Sequence, residues 1–245
     1  MVFRYGRKRR SPSRKTQRKR KSRLSFKSRV LKALQGENKI AKLYQQVTIT
    51  NVMNTPIQLM PNIAQGISAH AERVGNMISL KRLTIKGFFA VPDQPSVLGT
   101  EFLSRQMVLR QRNVNAASII TTPALFDSNN LMEYDQPYIG TPNNWLQKHN
   151  RSRFVVRKDI KKHYSVSANV QGAQTEVPNP DSIRFFSHTI TFGKQGKTLH
   201  YTDDAALISG NFPYIMAAAI HNPTGSPPFG NPRMQLYTEA VYTDI

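Results

Sequence analysis

Fifteen lysines and arginines stand between Met1 and Lys32 with no carboxylate among them, and a segment of that kind cannot fold by itself. They are Arg4, Arg7, Lys8, Arg9, Arg10, Arg14, Lys15, Arg18, Lys19, Arg20, Lys21, Arg23, Lys27, Arg29 and Lys32, interleaved mainly with serine. Like charges repel, and so few large apolar residues cannot bury enough surface to offset the entropy of the chain. The expectation is a disordered arm that becomes an interaction tail when a polyanion is present. A phosphate backbone meets these needs, because each neutralised phosphate releases condensed counterions and gives sequence-independent, salt-sensitive binding. Phe3, Tyr5 and Phe26 add rings on which bases can stack. Two tetrads, Arg7-Lys8-Arg9-Arg10 and Arg18-Lys19-Arg20-Lys21, also match basic nuclear-import signals, which rest on the same chemistry.

The charge is concentrated in that arm. Of the 35 basic residues in the chain, 15 lie before residue 33, so 20 remain against all 14 acids and the rest of the chain carries only +6. From Leu24 to Leu43, the apolar residues Val30, Leu31, Leu34, Ile40 and Leu43 fall at the spacing of a short amphipathic helix interrupted by Gly36. The same stretch reads as a hinge between arm and body. The expected organisation is therefore an arm with a short helix over residues 1–43 and one folded domain over residues 44–245. About two hundred residues suit a single sandwich.

That domain reads as strands. Gln46 to Met53 alternates, with Val47, Ile49 and Met53 on one side, until Asn54-Thr55-Pro56 stops it. Met77 to Val91 places Ile78 and Leu80 on one face, slips phase across Lys81-Arg82, then resumes with Leu83, Ile85, Gly87 and Phe89, which predicts a β-bulge at that pair. Further strands are expected at Leu103 to Arg112, Arg153 to Val166 with an irregularity near Asp159, Ile183 to Phe192, Leu199 to Thr202, Phe212 to His221 and Met234 to Thr243. Helical periodicity is nearly absent beyond the arm. Eight antiparallel strands with uneven, proline-rich connections predict an all-β, eight-stranded jelly-roll sandwich.

Catalytic and metal chemistry finds no foothold in the pattern. The chain has no cysteine, which excludes disulfides and thiolate sites. His70, His149, His163, His188, His200 and His221 never fall at metal-ligand spacing, and His188, in phase with Phe186 and Ile190, reads as a satisfied core or interface histidine. Asp203-Asp204 is an adjacent acidic pair whose members point to opposite faces of an extended chain, although a cation between subunits remains open to it. No phosphate-binding loop or nucleophile elbow occurs, so no catalytic residue, cofactor or metal is expected. Asn150-Arg151-Ser152 forms a glycosylation triplet, expected to stay unmodified in a cysteine-free chain. Tyr214 to Ile220, the longest apolar run, is too short for a membrane span.

The stretch Val74-Gly75-Asn76-Met77-Ile78-Ser79-Leu80-Lys81-Arg82-Leu83-Thr84-Ile85-Lys86-Gly87, with the basic arm, the segment Phe212-Pro213-Tyr214 and the alternating C-terminus from Tyr237 to Asp244, resembles capsid proteins of small circular single-stranded DNA viruses, the circovirus-like group. That resemblance implies an icosahedral homo-oligomer of about sixty jelly-roll subunits. It further implies a single-stranded DNA genome packaged by the arm, import receptors of the host as partners, residence in the virion and host nucleus, and a host receptor whose contacting loops are not identified. Two other readings share the composition: a capsid subunit of a small RNA virus, and a non-viral basic nucleic-acid-binding structural protein such as a ribosomal component.

Overall fold

Burial alternates residue by residue along most strands of the computed structural model, which describes residues 38–66, 71–90, 100–166, 183–221 and 232–245. The strands are β1 (Lys39–Thr48), β2 (Ile57–Gln58), β3 (Met77–Ala90), β4 (Thr100–Gln111), β5 (Phe154–Val166), β6 (Ile183–Thr191), β7 (Lys197–His200), β8 (Ile215–His221) and β9 (Arg233–Asp244). β1 shows the pattern: Ala41 is buried, Leu43, Gln45 and Val47 are half-buried, and the residues between them face out. Between β4 and β5 the chain forms α1 (Ala116–Thr121), two single 3-10 turns and α2 (Pro142–Leu146).

The strands assemble into two sheets. One has the order β1-β9-β3-β6, with β7 also on β3, and the other has the order β2-β8-β4-β5. Every pair is antiparallel, and the pairings nest: β1 with β9, β2 with β8, β3 with β6 and β4 with β5. The first half of the chain thus runs alongside the second half in reverse, as one long ribbon wrapped into two facing sheets. This is the winding of an eight-stranded jelly roll, with β7 as an extra strand.

Between the sheets lies a core of Ile78, Leu80, Leu83, Ile85 and Phe89 from β3, Met234, Leu236, Ala240 and Tyr242 from β9, and Phe102, Val108 and Met216 from the opposite sheet. The expected slip in β3 is present: its register with β9 shifts between Leu80 and Arg82, which keeps Ile78 and Leu80 on the same inner face as Leu83 and Ile85. At Gly87 a side chain would run into the Gln235 carbonyl and the Phe186 ring, so the glycine is the space into which that ring packs.

β8 is buried on both faces, which explains its unbroken apolar run. Met216 and Ala218 enter the core, while Ile215, Ala217 and Ala219 join Met107, Leu109, Ile119, Leu131, Met132 and Tyr138 in a second cluster. The β4–β5 connection supplies α1 and much of that cluster, covering the outer face of the second sheet.

Several expectations are corrected. Lys39 to Leu43 is strand rather than the end of a helix: ten residues of β1 pair in register with β9, and Ile40, 44% exposed, faces away from Leu43. The domain's first strand therefore begins ahead of residue 44, and a ladder along its whole length outweighs a helix with a costly nucleus. Met53 parts from Val47 and Ile49, because β1 ends at Thr48 and Met53 packs in the second cluster. The irregularity expected near Asp159, by contrast, is present: it falls at Arg157, where Val108 pairs with Lys158 and Leu109 with Val156. β2, two residues long, gave no periodic signal.

Candidate nucleic-acid interface

All fifteen cations of the arm, Arg4 through Lys32, and both import tetrads lie outside the described residues. What the described residues hold is the frame that follows the arm and the charged and aromatic surfaces on it.

Two arginines are buried among the described residues, and both are structural. Arg73 is fully buried and donates to the carbonyls of Gly75, Asp203, Asp204 and Ala206 at 2.7–3.1 Å and to Asn76 Oδ1 at 2.8 Å, with its guanidinium 4.3 Å from the Tyr201 ring centroid. The acidic pair thus meets a cation through its backbone carbonyls, and that cation is this guanidinium. Among the described residues no group of three His, Asp or Glu side chains could hold a metal ion. Replacing Arg73 with lysine is expected to cost about 2–4 kcal/mol in denaturant unfolding, because three ammonium donors cannot serve the six acceptors that the guanidinium reaches and the stranded carbonyls stay buried. An unchanged midpoint would show the cradle to be dispensable.

Arg105 sits under the β4–β5 connection. Its Nε and Nη2 donate to Asp159 Oδ1 and Oδ2 at 3.0 and 2.7 Å, its Nη1 donates to the Asn144 carbonyl, and Tyr138 lies 5.9 Å away. Burial pushes the Tyr138 hydroxyl up to about 12, opposed by Arg105. The glycosylation triplet is spent in the same connection: buried Asn150 donates from Nδ2 to Asp135, and its Oδ1 accepts from both the amide and the hydroxyl of Ser152.

β5 forms one edge of the second sheet and carries Arg157, Lys158, Lys161 and Lys162. Asp159 is occupied by Arg105, so the edge is cationic, a usual guard against strand addition. Lys161 lies 5.5 Å above Trp145, and desolvation, with Arg105 adding, lowers its pKa. His188 stacks on Phe186 with ring centroids 5.6 Å apart. Desolvation, followed by Lys162 and Lys158, lowers its pKa and keeps it neutral near pH 7. It has a backbone hydrogen bond with Ser187, and its Nε2 has no partner among the described residues.

The outer face of the β1-β9-β3-β6 sheet was not singled out by sequence. Cross-strand register sets its side chains in rows. One row reads Tyr44, Tyr237, Lys86, Ser187, and the next reads Gln46, Gln235, Phe88, Phe185. Tyr44 is 78% exposed and Phe185 72%. The tyrosine rings lie 4.8 Å apart and the phenylalanine rings 5.6 Å apart, flanking a groove of about 820 Å³. The Tyr237 hydroxyl donates to Glu239 at 3.1 Å, and Arg82 faces the same carboxylate at 3.7 Å. The signal in the sequence was the doublets Phe88-Phe89 and Phe185-Phe186, because in an alternating strand one member of each must face out.

No protein-family model matches the chain, and no curated protein matches it. Among solved structures, the Human Polyomavirus 6 VP1 pentamer aligns at 8% identity and a TM-score of 0.25, covering 85% of this chain and 94% of that one. Merkel cell polyomavirus VP1, solved in complex with GD1a oligosaccharide, aligns at 11% identity and a TM-score of 0.17, covering 85% and 95%. Both are polyomavirus proteins, and neither belongs to the circovirus-like group of single-stranded DNA viruses.

Proposed function

We propose that the chain is a capsid subunit whose jelly-roll domain forms the wall of a closed shell and whose basic arm holds packaged single-stranded DNA. The observation that carries this reading is the covalent order: fifteen acid-free cations end at Lys32, and β1 of the jelly roll begins at Lys39. A polycation joined to a rigid, mildly charged body performs two tasks at once, since the arm neutralises phosphates while the body offers long connections to neighbouring copies. The resemblance to circular single-stranded DNA virus capsids supports DNA as the cargo, and the two tetrads support import into the host nucleus through import receptors. The reading assigns no catalytic residue and no cofactor. No helix among the described residues is long and apolar enough to cross a membrane.

The test is electron microscopy of the purified full chain, followed by nuclease digestion. Closed particles are expected, with nucleic acid that resists RNase and becomes sensitive to DNase after disruption. Particles holding only RNA would remove the DNA assignment in favour of the small RNA virus reading. Failure to form particles at any salt or protein concentration would overturn the shell.

A further inference from the structure

We infer that the outer face of the β1-β9-β3-β6 sheet is a stacking platform for the bases of single-stranded nucleic acid, so that the folded body contacts the cargo as well as the arm; this rests on the packaging role proposed above. The observation that carries it is the pair of ring clusters in adjacent rows with Lys86 between them: Lys86 lies directly opposite Tyr237 and two residues before Phe88.

Geometry favours this occupant. Tyr44 with Tyr237 on β1 and β9, and Phe88 with Phe185 on β3 and β6, are displaced by about 10 Å across the strands and about 7 Å along them. A four-stranded sheet bearing outward rings stacks two or three bases of an unpaired strand, and stacking tolerates any sequence because every base has a π face. Lys86 is placed to meet a phosphate between the stacked bases, and the exposed amides of Gln46 and Gln235 can hydrogen-bond base edges. Duplex DNA hides those faces, so the platform selects single strands.

Charge and chain length point the same way. A lysine and two glutamines among the rings suit a polar, anionic ligand, whereas lysine is depleted from the cores of interfaces between protein copies. Six residues lie between Lys32 and Lys39, a link of at most about 25 Å when fully extended, and it leads into β1, the edge strand that carries Tyr44.

The experiment uses the full chain and compares a fluorescent oligothymidine with an abasic deoxyribose-phosphate strand of equal length, at low and at high salt. At low salt both are expected to bind through the arm. At high salt, where phosphate contacts weaken, the oligothymidine is expected to bind at least about tenfold more tightly. The double variant Tyr44→Ala, Phe185→Ala should abolish that difference while leaving the low-salt affinity for the abasic strand within about threefold. Both rings are mostly exposed, so an unchanged thermal melt is expected and is checked.

A second measurement uses the wild-type protein: photocross-linking of 5-iodouracil-substituted strands should label Tyr44, Tyr237, Phe88 or Phe185. Equal high-salt binding of both strands, or cross-links confined to residues 1–37, would overturn the platform while the packaging role stood. A double variant that blocks particle formation with base-dependent binding intact would make the face an interface between copies and also overturn it. Binding of neither strand at low salt would instead remove the packaging role.

Discussion

Deleting residues 1–32 is expected to lower affinity for a single-stranded oligonucleotide by at least about a thousandfold near 0.1 M salt, and to leave a folded body that still assembles. The magnitude follows from counterion release. With fifteen cations available to phosphates, the slope of log affinity against log salt approaches about −10 for the full chain, and it should fall to a few units once they are gone. The fold should survive because the core of the described residues runs from Ala41 onward and β1, its first strand, begins at Lys39, both beyond the deleted segment. Fluorescence anisotropy across a salt series measures the slope, and a thermal melt of the truncated chain measures the fold. Unfolding of the truncated chain would make the arm structural, and an unchanged salt slope would move the electrostatic contact to the body. The residual affinity is the quantity that the outer-face platform has to account for.

Asp159→Ala is expected to destabilise the domain by about 3–5 kcal/mol, more than any substitution of an exposed charge on the same strand. Asp159 is itself 26% exposed at its side chain, whereas Arg105 is fully buried. Removing the carboxylate therefore leaves a guanidinium away from water, holding the Asn144 carbonyl and close to the Tyr138 ring but without its counter-charge. Since small domains are stable by only about 5–15 kcal/mol, such a loss brings the protein close to its unfolding threshold. The double substitution Arg105→Met, Asp159→Leu should recover most of the loss, because the cost lies in the orphaned charge and not in the absence of the pair. Urea unfolding of the single and double variants decides it: a double variant as unstable as the sum of its singles would show that the two groups are uncoupled.

The loss should also be local in origin. Arg105 and Asp159 lie on paired strands, and Arg105 anchors the connection that carries α2 over the second sheet. Limited proteolysis between residues 112 and 153 should therefore accelerate in Asp159→Ala before the core opens. Cleavage that appears first elsewhere would contradict the anchoring role.

The strands were legible in the sequence wherever one face is wet. Alternation located β3, β6 and β9 closely, and even the bulge in β3 could be read from its phase slip. It failed where burial does not alternate or where the element is too short to show a period. β2 has two residues and exists through its pairing with β8, and residues 112–153 pack by cluster contacts with no repeating spacing. Arg73 and Arg105 gave no warning of burial, because a buried arginine is recognised by acceptors drawn from distant segments, such as Asp203 and Ala206 for Arg73.

For the candidate site the division is similar. The arm is a matter of composition, since a dense run of cations needs no partner residue in the chain to attract phosphates. The outward rings were individually present as Tyr44, Phe88, Phe185 and Tyr237, yet nothing in their spacing along the chain unites residues 44, 88, 185 and 237. What the sequence by itself determined is the acid-free cationic arm and an alternation that admits only sheets. What only the tertiary structure decided is which strands lie side by side, and so which rings share a face and which charges go under cover, because strand order is set by long-range pairing and core burial summed over the whole ribbon.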